Sequence, residues 1–596
     1  MKKIYKILSF ALLIGCVIAL GSMNVLADTG YTYDHKGKLI YSTEGFTVNE
    51  TPYIYSDLGI DSLEKFSTPT DLFVYDADPD AGTIIYLLDG ATYKDVNTCS
   101  RLYLLNDNLN LTREISYFVY SPNDLSDNEL LKMKSGGIDV INANNDPSTT
   151  IDVDMAEISN GFNSLEDMRH YGLVKLYMSG ASAVYRMLKT NSTPHTDYIY
   201  ICDTGNNQVL VVDATSYDDT LQTYKIVQII TSPTEELGSD TFRPIKVTAD
   251  AAGRIYVIAN GVTNGIMEFS EDGTFDRYIG TNYVTLSAWD IFWRNFATES
   301  QLSNSVSILP TTFTSMTYKN NMIYTTSYAV SNIDGTTNDK IMIKKINPSG
   351  KDVLRRNGYT IPKGDFVYNR VNDGYGSYGT STLEGITVNE YGVYTVVDSN
   401  RGRLFTYDNE GNLLYISGGS GSQINKISIP EAVQYLGENV LVLDSKKKAI
   451  IVFEPTDIAR VINNAIKCEY EGRNEGEWVD DDNDPNTPDV YVKGAYDYWE
   501  EVILLNANYE YAYVGIGKHY LNNKDYKTAM AYFKLGYDKV YYGNAYKLYR
   551  DSIIKANFAW VFITLFVVIV GIVVFRKVWR KKRGIKEEEM TGIGDE

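Results

Sequence analysis

The feature that most constrains this chain is a spacing that recurs along most of its length. An acidic or amide residue closes an apolar alternating run, and an aliphatic residue opens the next run six positions later. Asp203 to Val209, Asn260 to Ile266, Asp398 to Leu404 and Asp444 to Ile450 all share it. The runs ahead of them, Tyr198 to Ile201, Ile255 to Ile258, Val393 to Val397 and Val440 to Leu443, read as strands. Two further copies carry longer turns: Ile84 to Asp89 reaching Leu102, and Met322 to Tyr324 reaching Ile341. The strand that follows ends in a polar residue with Gly three positions on, as in Ser270 and Gly273, Asn347 and Gly350, and Asp408 and Gly411. A tight hairpin needs a left-handed residue there, and Gly takes that conformation without steric cost.

Six four-stranded units at a minimum period of about 46 residues predict a mainly β chain, a six-bladed β-propeller over residues 28–456, since one blade cannot bury its faces alone. The segment Tyr31 to Leu39 parallels Phe405 to Leu413, the last two strands of a blade, whereas the final unit, Pro430 to Pro455, has only the first three. The N-terminal segment is therefore expected to supply the missing outer strand and close the ring, which removes free sheet edges. Tyr occurs 49 times, and it suits such sheets because its ring packs on a pleated surface while its hydroxyl stays wet.

At Ile199-Tyr200-Ile201-Cys202-Asp203-Thr204-Gly205-Asn206-Asn207-Gln208-Val209 and Val397-Asp398-Ser399-Asn400-Arg401-Gly402-Arg403-Leu404 the chain resembles the NHL-repeat propellers. The resemblance runs unevenly over residues 31–456. The repeated Asp is read as structural, its carboxylate accepting backbone N–H groups at the corner.

Six minimal blades need about 270 residues, so roughly 150 residues of the propeller region sit in insertions. The long ones are 116–178, 281–309 and 359–380 between blades, and 90–100 and 328–339 between second and third strands. Antiparallel strands reverse direction, so all of these connections lie on one face, which is the expected binding face. The stretch 286–302 carries Trp289, Phe292, Trp293 and Phe296 at helical spacing. Trp289 and Trp293 are the candidate ligand-binding residues, by ring stacking on a ligand; the competing reading packs that helix on the rim.

Both ends point to a membrane. Lys2, Lys3 and Lys6 precede an apolar stretch from Ile7 to Leu20, and Val25-Leu26-Ala27 supplies the small residues of a cleavage site. Residues 1–27 are read as a signal peptide, with lipidation at Cys16 as the alternative. Residues 557–575 form an apolar run without charge, about 27 Å of helix from Phe558 to Phe575, read as a transmembrane helix. The basic cluster from Arg576 to Arg583 follows at once. The positive-inside rule places 576–596 in the cytoplasm, giving a single-pass cell-membrane protein with its N-terminal ectodomain outside.

Between propeller and membrane, 457–494 reads as an acidic linker and 495–556 as a helical pedestal. In the pedestal Gly517, Tyr520, Ala529 and Phe533 fall at the spacing of a tetratricopeptide repeat. Asp480, Asp482 and Asp484 lack the Gly and Glu that a calcium loop needs, so no metal site is expected there. The last pedestal helix is expected to run unbroken into the membrane helix, because no Pro occurs from Asn544 to Arg583.

The net charge of −21 argues against nucleic-acid partners and favours neutral or cationic ligands. No triad order, zincin motif or phosphate loop occurs, and His35, His170, His195 and His519 are isolated. No catalytic residue, metal ligand or cofactor is therefore assigned. The architecture resembles a group of Gram-positive cell-surface proteins, on Ile343 to Pro348, Gly350 to Gly358 and Leu505 to Tyr509. That resemblance implies an accessory role beside carbohydrate uptake systems, with a glycan or membrane transporter subunits as partner. The expected function is binding or scaffolding; the alternative is a metal-dependent, lactonase-like propeller hydrolase or lyase acting outside the cell.

Overall fold

The computed structural model describes residues 31–33, 39–48, 53–54, 68–76, 82–94, 98–121, 123, 138–141, 150–151, 173–189, 195–233, 242–281, 312–331, 337–338, 341–358, 361–365, 380–423, 425–479 and 490–582. The chain divides into two compact units, Met1–Tyr470 and Glu471–Glu596. The proposed signal peptide lies outside the described residues.

The first unit begins with a hairpin of β1 (Tyr31–Tyr33) and β2 (Leu39–Tyr41), then two short strands, β3 (Phe46–Thr47) and β4 (Tyr53–Ile54). Blade 1 is β5 (Pro69–Tyr75), β6 (Ile84–Asp89), β7 (Arg101–Leu105) and β8 (Leu111–Ile115). Next come β9 (Phe118–Tyr120), β10 (Ile138–Ile141), β11 (Thr150–Ile151) and β12 (Leu173–Leu176). Blade 2 follows as β13 (Ala183–Lys189), β14 (Thr196–Asp203), β15 (Gln208–Asp218) and β16 (Thr223–Ile230). Blade 3 is β17 (Pro244–Ala249), β18 (Ile255–Ala259), β19 (Ile266–Phe269) and β20 (Phe275–Ile279). Blade 4 has β21 (Phe313–Lys319) and β22 (Met322–Ser327), an inserted hairpin of β23 (Val330–Ser331) and β24 (Thr337–Asn338), and β25 (Ile343–Ile346). An isolated bridge from Ile346 to Asp352 stands where its fourth strand would be. Blade 5 is β26 (Leu383–Val388), β27 (Tyr394–Asp398), β28 (Arg403–Tyr407) and β29 (Leu413–Gly418), and blade 6 is β30 (Pro430–Leu436), β31 (Asn439–Asp444) and β32 (Ala449–Pro455).

Each inner strand lies against the next, β5 with β13, then β17, β21, β26 and β30, and β30 returns to β5. The result is a closed six-bladed propeller. The hairpin glycines stand where the spacing puts them, Gly273, Gly350 and Gly411 all at positive φ (77°, 79° and 84°).

The ring closes through the N-terminal segment, but at Phe46–Thr47 and Tyr53–Ile54, later in the chain than the strand from Leu39 that the parallel with Phe405 to Leu413 predicts. Among the described residues Tyr31–Tyr33 and Leu39–Tyr41 pair only with each other, while Phe46 and Thr47 pair with Pro455 and Glu454, and Tyr53 and Ile54 with Ile450 and Ala449. Phe46 is 1% exposed and meets Tyr415 edge-on at 5.4 Å. Its N–H and that of Gly45 donate to Ser417 Oγ at 2.7 and 3.1 Å. The blade 1 to blade 6 seam is apolar, with Leu72, Leu87 and Tyr103 against Leu441, Leu443 and Ile450. Burying each such side chain stabilises by about 1.5–3 kcal/mol.

The insertion 116–178 also departs from expectation. Its described strands do not rest on a face of the disc. They extend blade 2 beyond its outer strand, β9 pairing parallel with β16 and β12, β10 and β11 adding in turn. The stretch 457–494, expected as a linker, contains helix α1 (Asp457–Glu471) and a hairpin of β33 (Glu477–Val479) and β34 (Val490–Val492). In α1, Ala459, Ile462 and Ala465 are buried, and Asn463 accepts a hydrogen bond from Tyr415 at 2.8 Å, which fastens this helix over the closing blades.

The second unit continues with α2 (Ala495–Leu505), α3 (Glu510–Asn522), α4 (Tyr526–Leu535) and α5 (Lys539–Lys582). A Cβ at Gly517 would lie 2.6 Å from the Phe533 ring and one at Gly515 2.3 Å from the Trp499 indole, so both glycines are what lets these helices approach. Among the described residues one helical stretch, Phe562–Lys582, is long and apolar enough to cross a membrane, at mean hydropathy 2.2. It lies within α5, so the pedestal helix and the apolar span are one unbroken helix.

Because Phe46 is buried where the closing strand β3 meets β32 and Tyr415, Phe46→Ala should lower the unfolding free energy of the soluble fragment 28–556 by about 3–5 kcal/mol in denaturant titration. A loss under about 1 kcal/mol, the level of an exposed position, contradicts closure through Phe46.

Candidate functional site

In four of the six blades a repeated aspartate fixes how the blade enters the ring. Asp89, Asp203, Asp398 and Asp444 are fully buried at the ends of second strands. Each carboxylate accepts the N–H of the residue leading into its own blade's inner strand: Thr68 at 3.1 Å, Ser179 at 2.8 Å, Thr382 at 3.1 Å and Ser428 at 2.6 Å. The structural reading therefore holds, with a longer reach than a local corner: the bond ties the second-to-third turn to the incoming connection. Asp203 also accepts from Asn206 and Gln208 at 2.7 and 2.9 Å. Burial outweighs these donors and pushes its carboxyl up to about 6.

Immediately inside those tethers, five of the six inner strands carry a β-bulge, at Thr70, Ile245, Thr314, Glu384 and Glu431. Where the position holds a hydroxyl, it links neighbouring blades: Thr70 Oγ1 donates to the Ala181 carbonyl at 2.9 Å, and Thr314 Oγ1 to that of Leu383. Ser182, just before β13, does the same to Ile245 at 3.1 Å. In blades 5 and 6 a glutamate stands there instead.

The bulge turns the following residue into the axial channel, which is lined by Asp71, Lys246, Ser315, Gly385 and Ala432 and, deeper, by Phe73, Tyr185, Met316 and Ile386. The channel encloses a cavity of about 20 Å³, room for roughly one water molecule and no substrate. Its mouth is where charge gathers. Lys246 Nζ reaches across to Asp71 Oδ1 at 2.8 Å, with side chains only 15% and 9% exposed, and Asp71 Oδ2 accepts the Val184 N–H at 2.9 Å. Glu384 accepts from Tyr328, which is 42% exposed, at 3.3 Å, and Glu431 from Ser445 at 2.7 Å.

Burial raises the carboxyls of both Glu384 and Glu431 above their ordinary range. The Tyr328 and Ser445 hydroxyls and the Lys246 charge oppose that rise, and for Glu431 the charges of Glu384 and Asp71 reinforce it. Inner strands start on the side that receives the fourth-to-first connections, so the mouth opens on the face expected to bind.

Three carboxylates face one ammonium, which favours ligands that bring hydroxyl or amine donors. Among the described residues no three His, Cys, Asp or Glu side chains stand close enough to share an ion, and the Lys246 ammonium already occupies Asp71. Trp289 and Trp293 lie outside the described residues, as do Asp480, Asp482 and Asp484. None of Asp71, Lys246, Glu384 and Glu431 has a signal in the sequence, because their neighbours belong to other blades. Only the shared position one or two residues into each inner strand could have found them.

No family model matches the chain, and no curated protein matches it. Solved structures do, at low identity. The extracellular domain of BT4673 from B. thetaiotaomicron aligns over 71% of this chain at 9% identity, TM-score 0.30; the chain spans 38% of that protein's length. Virginiamycin B lyase from Staphylococcus aureus aligns over 69% of this chain and 88% of its own, at 10% identity and TM-score 0.30. The Malassezia sympodialis allergen Mala s 1 aligns over 63% of this chain and 89% of its own, at 10% identity and TM-score 0.30.

Two outcomes check this geometry. Lys246→Met leaves the Asp71 charge buried without its partner and should cost about 3–5 kcal/mol of stability, whereas adding Asp71→Asn should recover most of that loss. Equal losses in the single and double variants contradict the buried pair. Asp203 binds its proton more readily folded than unfolded, so wild-type stability gains from this group as pH falls from about 6 toward the ordinary carboxylate range near 4. Melting curves of wild type and Asp203→Asn at about pH 7.5, above that window, and about pH 5, within it, should show the comparison shifting toward wild type at the lower pH. An unchanged difference rules that proton uptake out.

Proposed function

We propose that this protein is a membrane-anchored extracellular binding protein whose ligand docks at the charged mouth of the propeller. The observation that carries the reading is the mouth itself: the Lys246–Asp71 pair at an axis too filled to admit a substrate, with Glu384 and Glu431 at the adjoining bulges within reach of the Lys246 charge. A ligand must rest on the face. Sugar hydroxyls or an amine would donate to Glu384 and Glu431, with the half-exposed Tyr328 ring as an apolar platform beside them. A neutral or amine-bearing glycan is the ligand class this favours, and transporter subunits are the alternative partner on the same acidic face.

The anchor belongs to the same reading. Trp560 and Trp579, 70% and 44% exposed, bracket the apolar span with about 28 Å of helix between them, close to the thickness of a bilayer's hydrocarbon core. Trp at both boundaries and a basic cluster at one are the pattern of a single-pass helix with its C-terminus in the cytoplasm. Signal-peptide cleavage after Ala27, a tetratricopeptide-like packing of α2 to α4, the likeness to NHL propellers and the link to carbohydrate uptake in a Gram-positive envelope are parts of the same proposal.

A glycan array probed with fragment 28–556, alongside the double variant Glu384→Gln, Glu431→Gln, tests it. Binding by the wild type that falls at least about tenfold in the double variant is expected, a loss of about 1.4 kcal/mol or more. Binding should also weaken as pH drops and the two glutamates take up protons, since a neutral carboxyl accepts hydroxyl or amine donors less strongly. An array without signal, together with copurification of permease subunits from detergent, moves the reading to the protein partner. A divalent ion whose chelation abolishes lactone hydrolysis by the same fragment replaces binding with catalysis.

A further inference from the structure

Five of the six blades close their mouth-side turn onto their own incoming connection. The N–H of Gly90, Gly205, Asn260, Ser399 and Ser445, each just past a second strand, donates to the carbonyl of a residue leading into that blade's inner strand, at 2.8 or 2.9 Å. In four of them the buried aspartate adds its own bond to the same connection. Blade 4 has neither. Its register pairs Phe313 with Ser327 just as Pro69 pairs with Asp89, Leu383 with Asp398 and Pro430 with Asp444. Ser327 therefore stands at the aspartate position, and its Oγ, in a residue 1% exposed, has no partner among the described residues. The closing bond at this place would run from the Tyr328 N–H to the Thr312 carbonyl, and among the described residues it is not made. The Ser327 N–H turns outward instead, to the Met342 carbonyl at 2.8 Å.

The strand behind this turn also gives up packing. It reads Met-Ile-Tyr-Thr-Thr-Ser in β22, where β6 of blade 1 reads Ile-Ile-Tyr-Leu-Leu-Asp. Thr325 and Thr326 are fully buried in place of Leu87 and Leu88, and Thr325 Oγ1 finds no partner among the described residues. Each such exchange loses apolar burial and buries a hydroxyl. Lys344 donates to the Gly280 and Thr281 carbonyls at 2.9 and 3.2 Å, which fixes the outer strand β25 to blade 3. The inner pair, β21 and β22, is left untied at its mouth end. That end carries Tyr328, whose phenol reaches Glu384 of blade 5 at 3.3 Å, long for a bond between two oxygens.

We propose that the mouth end of blade 4 is the moving part of this ring, an arm that carries Tyr328 off Glu384 and back while the other blades hold still. Segments that open locally are those with few buried apolar contacts and missing hydrogen bonds, and this turn has both properties. With the arm open, Glu384 is free to accept a hydroxyl or amine of the ligand. The Tyr328 ring then closes over the apolar side of what has bound, and contacts made only in the closed position shift the population toward it. The arm deepens the binding reading above and rests on it for its purpose.

Hydrogen exchange read by mass spectrometry, on the ligand-free full chain in nanodiscs, tests the arm. Amides of 322–328 should be at least about tenfold less protected than those of 84–90, 255–260, 394–399 and 439–445. Comparable protection in all of these turns overturns the proposal. Ser327→Asp places a carboxylate within reach of the Thr312 N–H and should raise protection of 322–328 several-fold, with the other turns unchanged. Glu384→Ala removes the hydrogen-bond partner of Tyr328 and should lower protection of 322–328, leaving the turns of blades 1, 3 and 6 as they were. If Ser327→Asp does not fold, the wild-type profile and Glu384→Ala decide. Changes spread evenly over the ring, or none at 322–328, overturn the arm. No ligand takes part, so the two readings separate: a mobile turn in a chain that binds no glycan refutes the binding reading, whereas a rigid turn refutes the arm alone.

Discussion

Everything in the propeller depends on the pairing of two short N-terminal strands with the last blade. Blade 6 contributes three strands of its own, and β3 and β4 complete it by pairing with β32. Without them the final sheet would end in an open edge, and the apolar seam between blades 6 and 1 would join two otherwise loose ends of a chain more than 400 residues apart, as the Thr456 to Glu44 hydrogen bond does at 2.9 Å and a separation of 412 residues. Closing so long a loop costs conformational entropy once, and the cost rises only slowly with length. The buried Phe46 and the Ser417 hydrogen bonds are well suited to offset it.

The mouth is a consequence of that closure. Inner strands held in a ring at fixed spacing bring Asp71 of blade 1 within a hydrogen bond of Lys246 of blade 3, although 175 positions separate them in sequence. The buried aspartates keep the strand entry of four blades in place, and the bulges of five inner strands each aim a residue at the axis. Hydroxyls at the bulges of blades 1 and 4, with Ser182 before β13, satisfy neighbouring carbonyls. The glutamates of blades 5 and 6 leave that structural task and turn the mouth acidic. Charge is thus concentrated on one side of the ring by a substitution within a repeated position, with no change in backbone.

Much of the fold was legible because it is periodic. The six-residue interval between an acidic strand end and the next aliphatic residue reflects a turn whose carboxylate bonds the incoming backbone, so Asp203, Asp398 and Asp444 announced their blades. The glycines of the hairpins followed for the same local reason. The outer strand of blade 6 was misplaced because a strand as short as Phe46–Thr47 carries no pattern, whereas Tyr31 to Leu39 imitates a blade hairpin and forms one that pairs only with itself. The extension of blade 2 was missed because insertion length alone does not say whether a segment covers a face or adds to an edge. The acidic mouth was invisible for a different reason: its residues meet only through the ring. Aromatic spacing drew attention to Trp289 and Trp293, while Tyr328 and the two glutamates offered no local cue.

The most direct measurement of the central claim is a cross-link across the closing strands. Thr47 and Glu454 are register partners in the β3–β32 pair. The double variant Thr47→Cys, Glu454→Cys of fragment 28–556, oxidised and analysed by mass spectrometry after proteolysis, should contain a peptide joining the two positions within one chain, and its melting temperature should rise above that of the reduced form. Failure of the cysteines to join, or joining only between chains, would mean that the N-terminal segment does not close the ring and that the blade arrangement built on it is wrong.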